Sequence, residues 1–151
     1  MTVTFCGHSQ FTETPKDEEK ILSILEEIII DRDVEFYLGG YGSFDAFAKK
    51  CCSKYKENHP NARLIFVTPY MDDNYLKNRL DYSSNPYDGI LYPSLEGKPP
   101  KFAVSYRNKW MIENSDCVIA YITHTFGGAY STYLYAKKKG KAIFNISGKE
   151  I

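Results

Sequence analysis

Two short glycine-rich segments hold the residues of this chain best suited to chemistry. The first reads EFYLGGYGSFDAFAKKC, with Gly39, Gly40 and Gly42 followed by Ser43 and Asp45. The second reads CVIAYITHTFGGAYSTYLYAKKKG, with Gly127 and Gly128 followed by Ser131 and Thr132. Glycine lets a backbone come close to a ligand, and the free N–H groups of a helix start attract an anion. A third short turn, Gly7 and His8 in CGHS, ends the first apolar run. Three such turns predict a pocket for a phosphorylated, nucleotide-like ligand.

The flanking side chains each admit two roles. Ser43, Ser131 and Thr132 can cap their helices or donate hydroxyls to a phosphate. Asp45 is favoured in a first helical turn by the helix dipole alone, or it hydrogen-bonds a ribose hydroxyl or a base edge. Arg107 either reaches a phosphate bidentately or stands in solvent as a surface charge. His8 and His124 flank glycine turns, whereas His59 sits in a polar ENHPN stretch. The glycine spacing differs from GxGxxG and no acidic residue follows roughly 20 positions on, so a dehydrogenase fingerprint is absent. No histidine pair has ligand spacing and no CxxC or HExxH occurs, so neither a metal nor a resident cofactor is expected.

The elements that must position these residues alternate from end to end. Strand-like runs are predicted at 2–6, 34–38, 62–67, 117–122 and 141–146, with a brief one at 89–92. Helical spacing is predicted at 15–30, 43–58, 101–114 and 129–139, with a helical turn near 75–80. Pro15 suits the first turn of a helix and Gly140 suits a helix stop. Such alternation implies an α/β fold: a Rossmann-like three-layer sandwich with a mainly parallel central sheet. No internal linker interrupts it, so residues 1–151 are read as a single domain. Ligands of such sheets sit beyond the carboxyl ends of the strands. All three glycine turns belong to that rim.

Composition bounds the rest. Hydrophobic residues make up 43% and charged ones 25%, ordinary for a soluble globular chain. Thirteen tyrosines suit base stacking and equally suit a surface or subunit interface. Nineteen basic residues balance nineteen acidic ones, which removes the electrostatic reason to expect a nucleic-acid partner. No apolar run approaches the roughly 20 residues of a membrane span. The start, MTVTFCGHS, lacks the basic region of a secretory leader. With four cysteines in no disulfide-like or zinc-like pattern, the expected location is cytoplasmic. The tyrosines and the apolar 28–30 helix end suit a homodimer.

The stretches CGHS, GGYGSFDAFA, RNKWMIENSDCVIAYI and GGAYSTYLYAKKKGK together resemble the SLOG superfamily. That group unites the LOG-type cytokinin-activating enzymes, the SMF/DprA recombination mediators and a YpsA-like branch of small proteins, whose layout is nearest. The resemblance covers nearly the whole chain and implies nucleotide or nucleotide-derivative binding in the glycine-turn cleft. It matches Arg107, Met111 and Asp116 to the family's strand entry, and Asp45 to the end of the DprA-like Gly-Ile-Asp stretch. The LOG-type PGGxGTxxE stretch aligns with Phe126 onward, which puts Leu134 at the catalytic glutamate. Leucine handles no proton, so the resemblance points to a binder, acting as sensor or sequestering protein, ahead of a LOG-type hydrolase. An N-glycosidase using Asp45 and Arg107, and a protein-interaction module without ligand, are the alternatives.

Overall fold

The computed structural model of the chain describes residues 1–30, 33–80 and 86–151. Among these, six strands form one all-parallel sheet: β1 (Thr2–Gly7), β2 (Glu35–Leu38), β3 (Arg63–Val67), β4 (Gly89–Leu91), β5 (Cys117–Tyr121) and β6 (Ala142–Asn145). Their order is β4-β3-β2-β1-β5-β6. The helices between them are α1 (Pro15–Ile28), α2 (Ser43–Asn58), α3 (Asp73–Arg79), α4 (Ala103–Glu113) and α5 (Gly128–Lys138), with a 3-10 turn at Pro100–Phe102 leading into α4. This is the Rossmann-like α/β sandwich that the alternating pattern predicts.

Strands that alternate Val, Phe, Ile and Leu on both faces need cover on both, and the helices supply it. On one face α1 and α2 bury Ile21, Leu25, Phe44, Phe47 and Ala48 against Val3, Phe5, Phe36 and Ile119. On the other, α5 packs Tyr133 and Ala136 on Val118, Ala120 and Ile122. There α4 also sets Met111 against Ile65 and Val67. α1 starts at a capping box, in which Thr14 and Asp17 satisfy each other's backbone donors, with Pro15 at the first helical position. It stops at Ile28, two residues before the expected end, and Ile30 is left exposed.

Asp72 caps α3 by accepting from the Tyr75 amide at 2.7 Å. Residues 81–85 lie outside the described residues. No described helix is long and apolar enough to cross a membrane.

The topology places the site. From β1 the chain steps outward to β2, β3 and β4, then crosses to the other side of β1 for β5 and β6. The order therefore reverses between β1 and β5, and the loops leaving those two strands diverge there to leave a crevice.

Candidate functional site at the strand order reversal

A cleft of about 520 Å³ opens at that reversal. Its floor is the end of β1, with Cys6, Gly7 and His8. One wall is a stripe of α4, where Val104, Arg107, Asn108 and Met111 follow helical spacing. The opposite side is the second glycine turn and the first turn of α5, with Phe126, Gly127, Gly128 and Thr132. Tyr41 and Asp45 close the side toward the first glycine turn. Gly7, His8, Asp45, Arg107, Gly127, Gly128 and Thr132 thus meet in one place, as the sequence predicts for the rim.

Gly39, Gly40, Gly42, Ser43 and Ser131 do not line it. Gly40 and Gly42 instead border a neighbouring cleft of about 320 Å³, which shares Asp45 and also holds Lys49, Arg79 and Tyr87. Ser131 is exposed on α5. The Ser43 hydroxyl neither caps α2 nor faces the cleft. It donates to the Ser9 carbonyl at 2.8 Å and accepts from the Phe11 amide at 2.6 Å, stapling the loop after β1 onto α2. A serine at a helix start supports cap, phosphate and loop contacts alike, so spacing alone does not separate them.

The first glycine turn is packed on the sides where side chains would project. A Cβ on Gly42 would come within 2.7 Å of Ser9 Cα, and one on Gly40 within 2.7 Å of the Phe66 ring. At Gly39 it would lie 3.1 Å from the Arg107 guanidinium and 3.2 Å from Asp45 Oδ2. The Ser43 amide, at the start of α2, donates to the Ser9 carbonyl at 2.9 Å. Asp45 Oδ2 accepts from the Tyr41 amide at 2.9 Å. Two amides of this turn, those of Tyr41 and Ser43, are therefore met by the chain's own oxygens.

Arg107 is not a surface charge. It lies in the middle of α4 and is 1% exposed. Its Nη1 donates to the carbonyls of Gly39 at 2.8 Å and Val67 at 2.7 Å, tying together the carboxyl ends of β2 and β3. Its Nε donates to Asn108 Oδ1 at 2.9 Å, and the Tyr75 side chain is a further partner. Burial lowers the guanidinium pKa, while Asp45 and Tyr75 oppose that shift. Arginine stays charged through such shifts, so a positive group stands behind the cleft wall.

Asp45 is half-buried beside it. Burial pushes its carboxyl up to about 6, against the downward pull of the Tyr41 amide and Arg107. A carboxyl in that range exchanges protons near neutral pH. Cys6 contributes no nucleophile, since burial pushes its thiol up to about 12. His8, 7% exposed, accepts from the Thr123 amide through Nε2 at 2.9 Å, which puts its proton on Nδ1. Burial, and then neighbouring His124, lowers its pKa, so His8 is neutral. The Thr132 hydroxyl donates back to the Gly128 carbonyl at 3.0 Å.

The second glycine turn is open. A Cβ on Gly127 or Gly128 would meet nothing within 4 Å. No side chain caps α5, whose first backbone bond runs from the Ser131 amide to the Gly127 carbonyl. The amides of Gly128, Ala129 and Tyr130 precede that bond, at the positive end of the helix dipole. Two lining residues that sequence reasoning passed over are Tyr41, 52% exposed, and Phe126, 69% exposed. The signal for both was an aromatic residue abutting a glycine pair.

No family model matches the chain. Among curated proteins it is 26% identical over 139 residues to the "uncharacterized SPbeta prophage-derived protein YoqJ" of Bacillus subtilis (strain 168), covering 82% of this chain and 81% of that protein. Among solved structures it is similar to DNA processing protein A of Helicobacter pylori, at a TM-score of 0.61 and 19% identity over 96% of this chain. The chain spans 64% of the length of that protein, which is described as having a single-stranded DNA binding mode. It is also similar to the structural-genomics target TM1055, at a TM-score of 0.52 and 13% identity over 94% of this chain and 71% of that one. The two structural likenesses show the fold.

Proposed function

We propose that the chain, a single SLOG-like domain of the cytoplasm nearest the YpsA-like branch, binds a nucleotide or nucleotide-derived ligand, as a sensor or sequestering protein. The observation that carries this reading is the uncapped amino end of α5 behind two glycines at which an added side chain would meet nothing within 4 Å. It opens into the crevice where the strand order reverses. A phosphate there would face free amides, with the Asp45 carboxyl across the cleft to accept from a hydroxyl or base edge. A balanced charge of 19 against 19 favours a small molecule over an extended nucleic acid. Exposed Ile30 at the end of α1 keeps a homodimer within the proposal.

Mass spectrometry of small molecules released by denaturing the purified protein would name the ligand. A nucleotide panel in thermal unfolding tests the site: near 100 Kd a ligand adds roughly 2.7 kcal/mol. Gly128→Glu puts a carboxylate at the same amides, so it should leave the unliganded fold intact and abolish that stabilisation. Equal stabilisation of both proteins would remove the phosphate from this position.

A second reading, a nucleotide N-glycosidase, is favoured by the Asp45 carboxyl at about 6 within the cleft. Asp45→Asn separates the two, since an enzyme would lose turnover by orders of magnitude and a binder only part of its affinity.

A further inference from the structure

The segment between β5 and α5 adds two rings to one that follows β1, making a ladder of three. Its root is His8 at the end of β1, which accepts from the Thr123 amide and is buried. The His124 ring stacks on His8 at 3.7 Å between centroids and 10° between planes. Phe126 lies over His124 at 4.0 Å and 30°. The ladder leads from the sheet edge to the cleft wall, where its last ring is the most exposed large hydrophobic among the described residues.

An exposed phenylalanine leaves a large apolar area in water, and here one side of the ring already rests on a rigid support. The next two residues are the open glycines at the start of α5. A flat group lying on the free side of Phe126 would therefore extend the ladder by one ring, with a phosphate on the same molecule within reach of the α5 amides. Aliphatic or peptide groups match such a surface less well, because face-to-face contact rewards planarity.

We propose that Phe126 is the base-stacking residue of the cleft: the planar heteroaromatic ring of the ligand lies on its solvent-facing side. The inference rests on the nucleotide reading of the same cleft and adds which residue holds the base. A free nucleotide and a base within a DNA strand present the same ring and phosphate, and the two sources separate by length dependence.

The test titrates AMP, GMP, CMP and UMP, and five-residue DNA oligonucleotides of each base, against the wild type, Phe126→Leu and Phe126→Trp. Leucine keeps the apolar bulk and removes the ring. The expected result is stabilisation of the wild type by at least one mononucleotide, binding weaker by about tenfold or more in Phe126→Leu, and saturable quenching of the new tryptophan in Phe126→Trp. An oligonucleotide that binds far more tightly than its mononucleotide would identify a strand as the source. Unchanged affinity in Phe126→Leu together with unquenched tryptophan overturns the proposal while leaving the phosphate site standing. If none of the eight probes binds the wild type, the nucleotide reading falls and this inference with it.

Discussion

Gly42 and Gly127 have almost the same backbone and opposite surroundings. Each is the residue before a helix, at φ 88° and ψ 173° for Gly42 and φ 92° and ψ 175° for Gly127. That region of conformational space is essentially restricted to glycine. Around Gly42 the Ser9 loop closes in, and around Gly127 nothing lies within 4 Å of a would-be side chain. One turn thus packs against the loop after β1 while bordering the smaller cleft, and the other has no such packing beside the 520 Å³ cleft. Paired glycines before a helix therefore do not by themselves mark a ligand site. What marks it is whether the protein has already used the space and the amides.

The largest expected effect concerns the clamp on the packed turn. Arg107→Ala should lower stability by about 3 kcal/mol or more, because it leaves the buried Gly39 and Val67 carbonyls without donors and Asp45 without its cation. Denaturant unfolding measures the loss. Hydrogen exchange should rise at residues 39–42 and stay unchanged at 127–129. Equal loosening of both turns would show that Arg107 does not serve the first one in particular.

Alanine at the two matched glycines is the controlled version of the comparison. Gly127→Ala should cost about 1–3 kcal/mol from backbone strain alone. Gly42→Ala carries the same strain and adds overpacking against Ser9, worth roughly another 1–3 kcal/mol. Identical midpoints for the two variants in denaturant would erase the distinction between a packed turn and an open one.

The smallest effect probes the carboxylate that stands between the turns. The folded pKa of Asp45, about 6, lies above its ordinary 3.8. Between those values the folded chain keeps a proton that the unfolded chain releases, so this group's contribution falls as pH rises toward 6 and stays low above it. Asp45→Asn keeps an acceptor for the Tyr41 amide and escapes that loss. It should therefore be more stable than the wild type above pH 7, by on the order of 1–2 kcal/mol. The gain should shrink as pH falls below 5. A gain independent of pH between 4.5 and 8 would place the ionisation elsewhere.

The order of elements was legible because each segment buries a recognisable face. Ile21 and Leu25 mark the inner side of α1, and the run Arg63–Val67 reads as a covered strand. The Thr14 cap holds α1 to its expected start, whereas the end of α1 and the Asp72-capped start of α3 shifted by two residues. The rim position of the cleft was legible too, since a parallel sheet with crossovers brings its strand ends to one edge. Arg107 was not, because its partners are carbonyls 68 and 40 positions away in the chain. Ser43 was misleading for a similar reason: its partners come from a loop more than thirty residues earlier.

Local pattern, then, was enough to name the architecture, the edge where the cleft opens and the glycines that bend the chain there. Periodicity and turn preference act between near neighbours, and those relations are written in one dimension. Which turn would be crowded by Ser9 and Asp45, which would stay open beside Phe126, and where the buried guanidinium would anchor were settled by packing. Those outcomes depend on surfaces brought together only when β1, α4 and α5 converge, and their atoms compete for the same few ångströms of space.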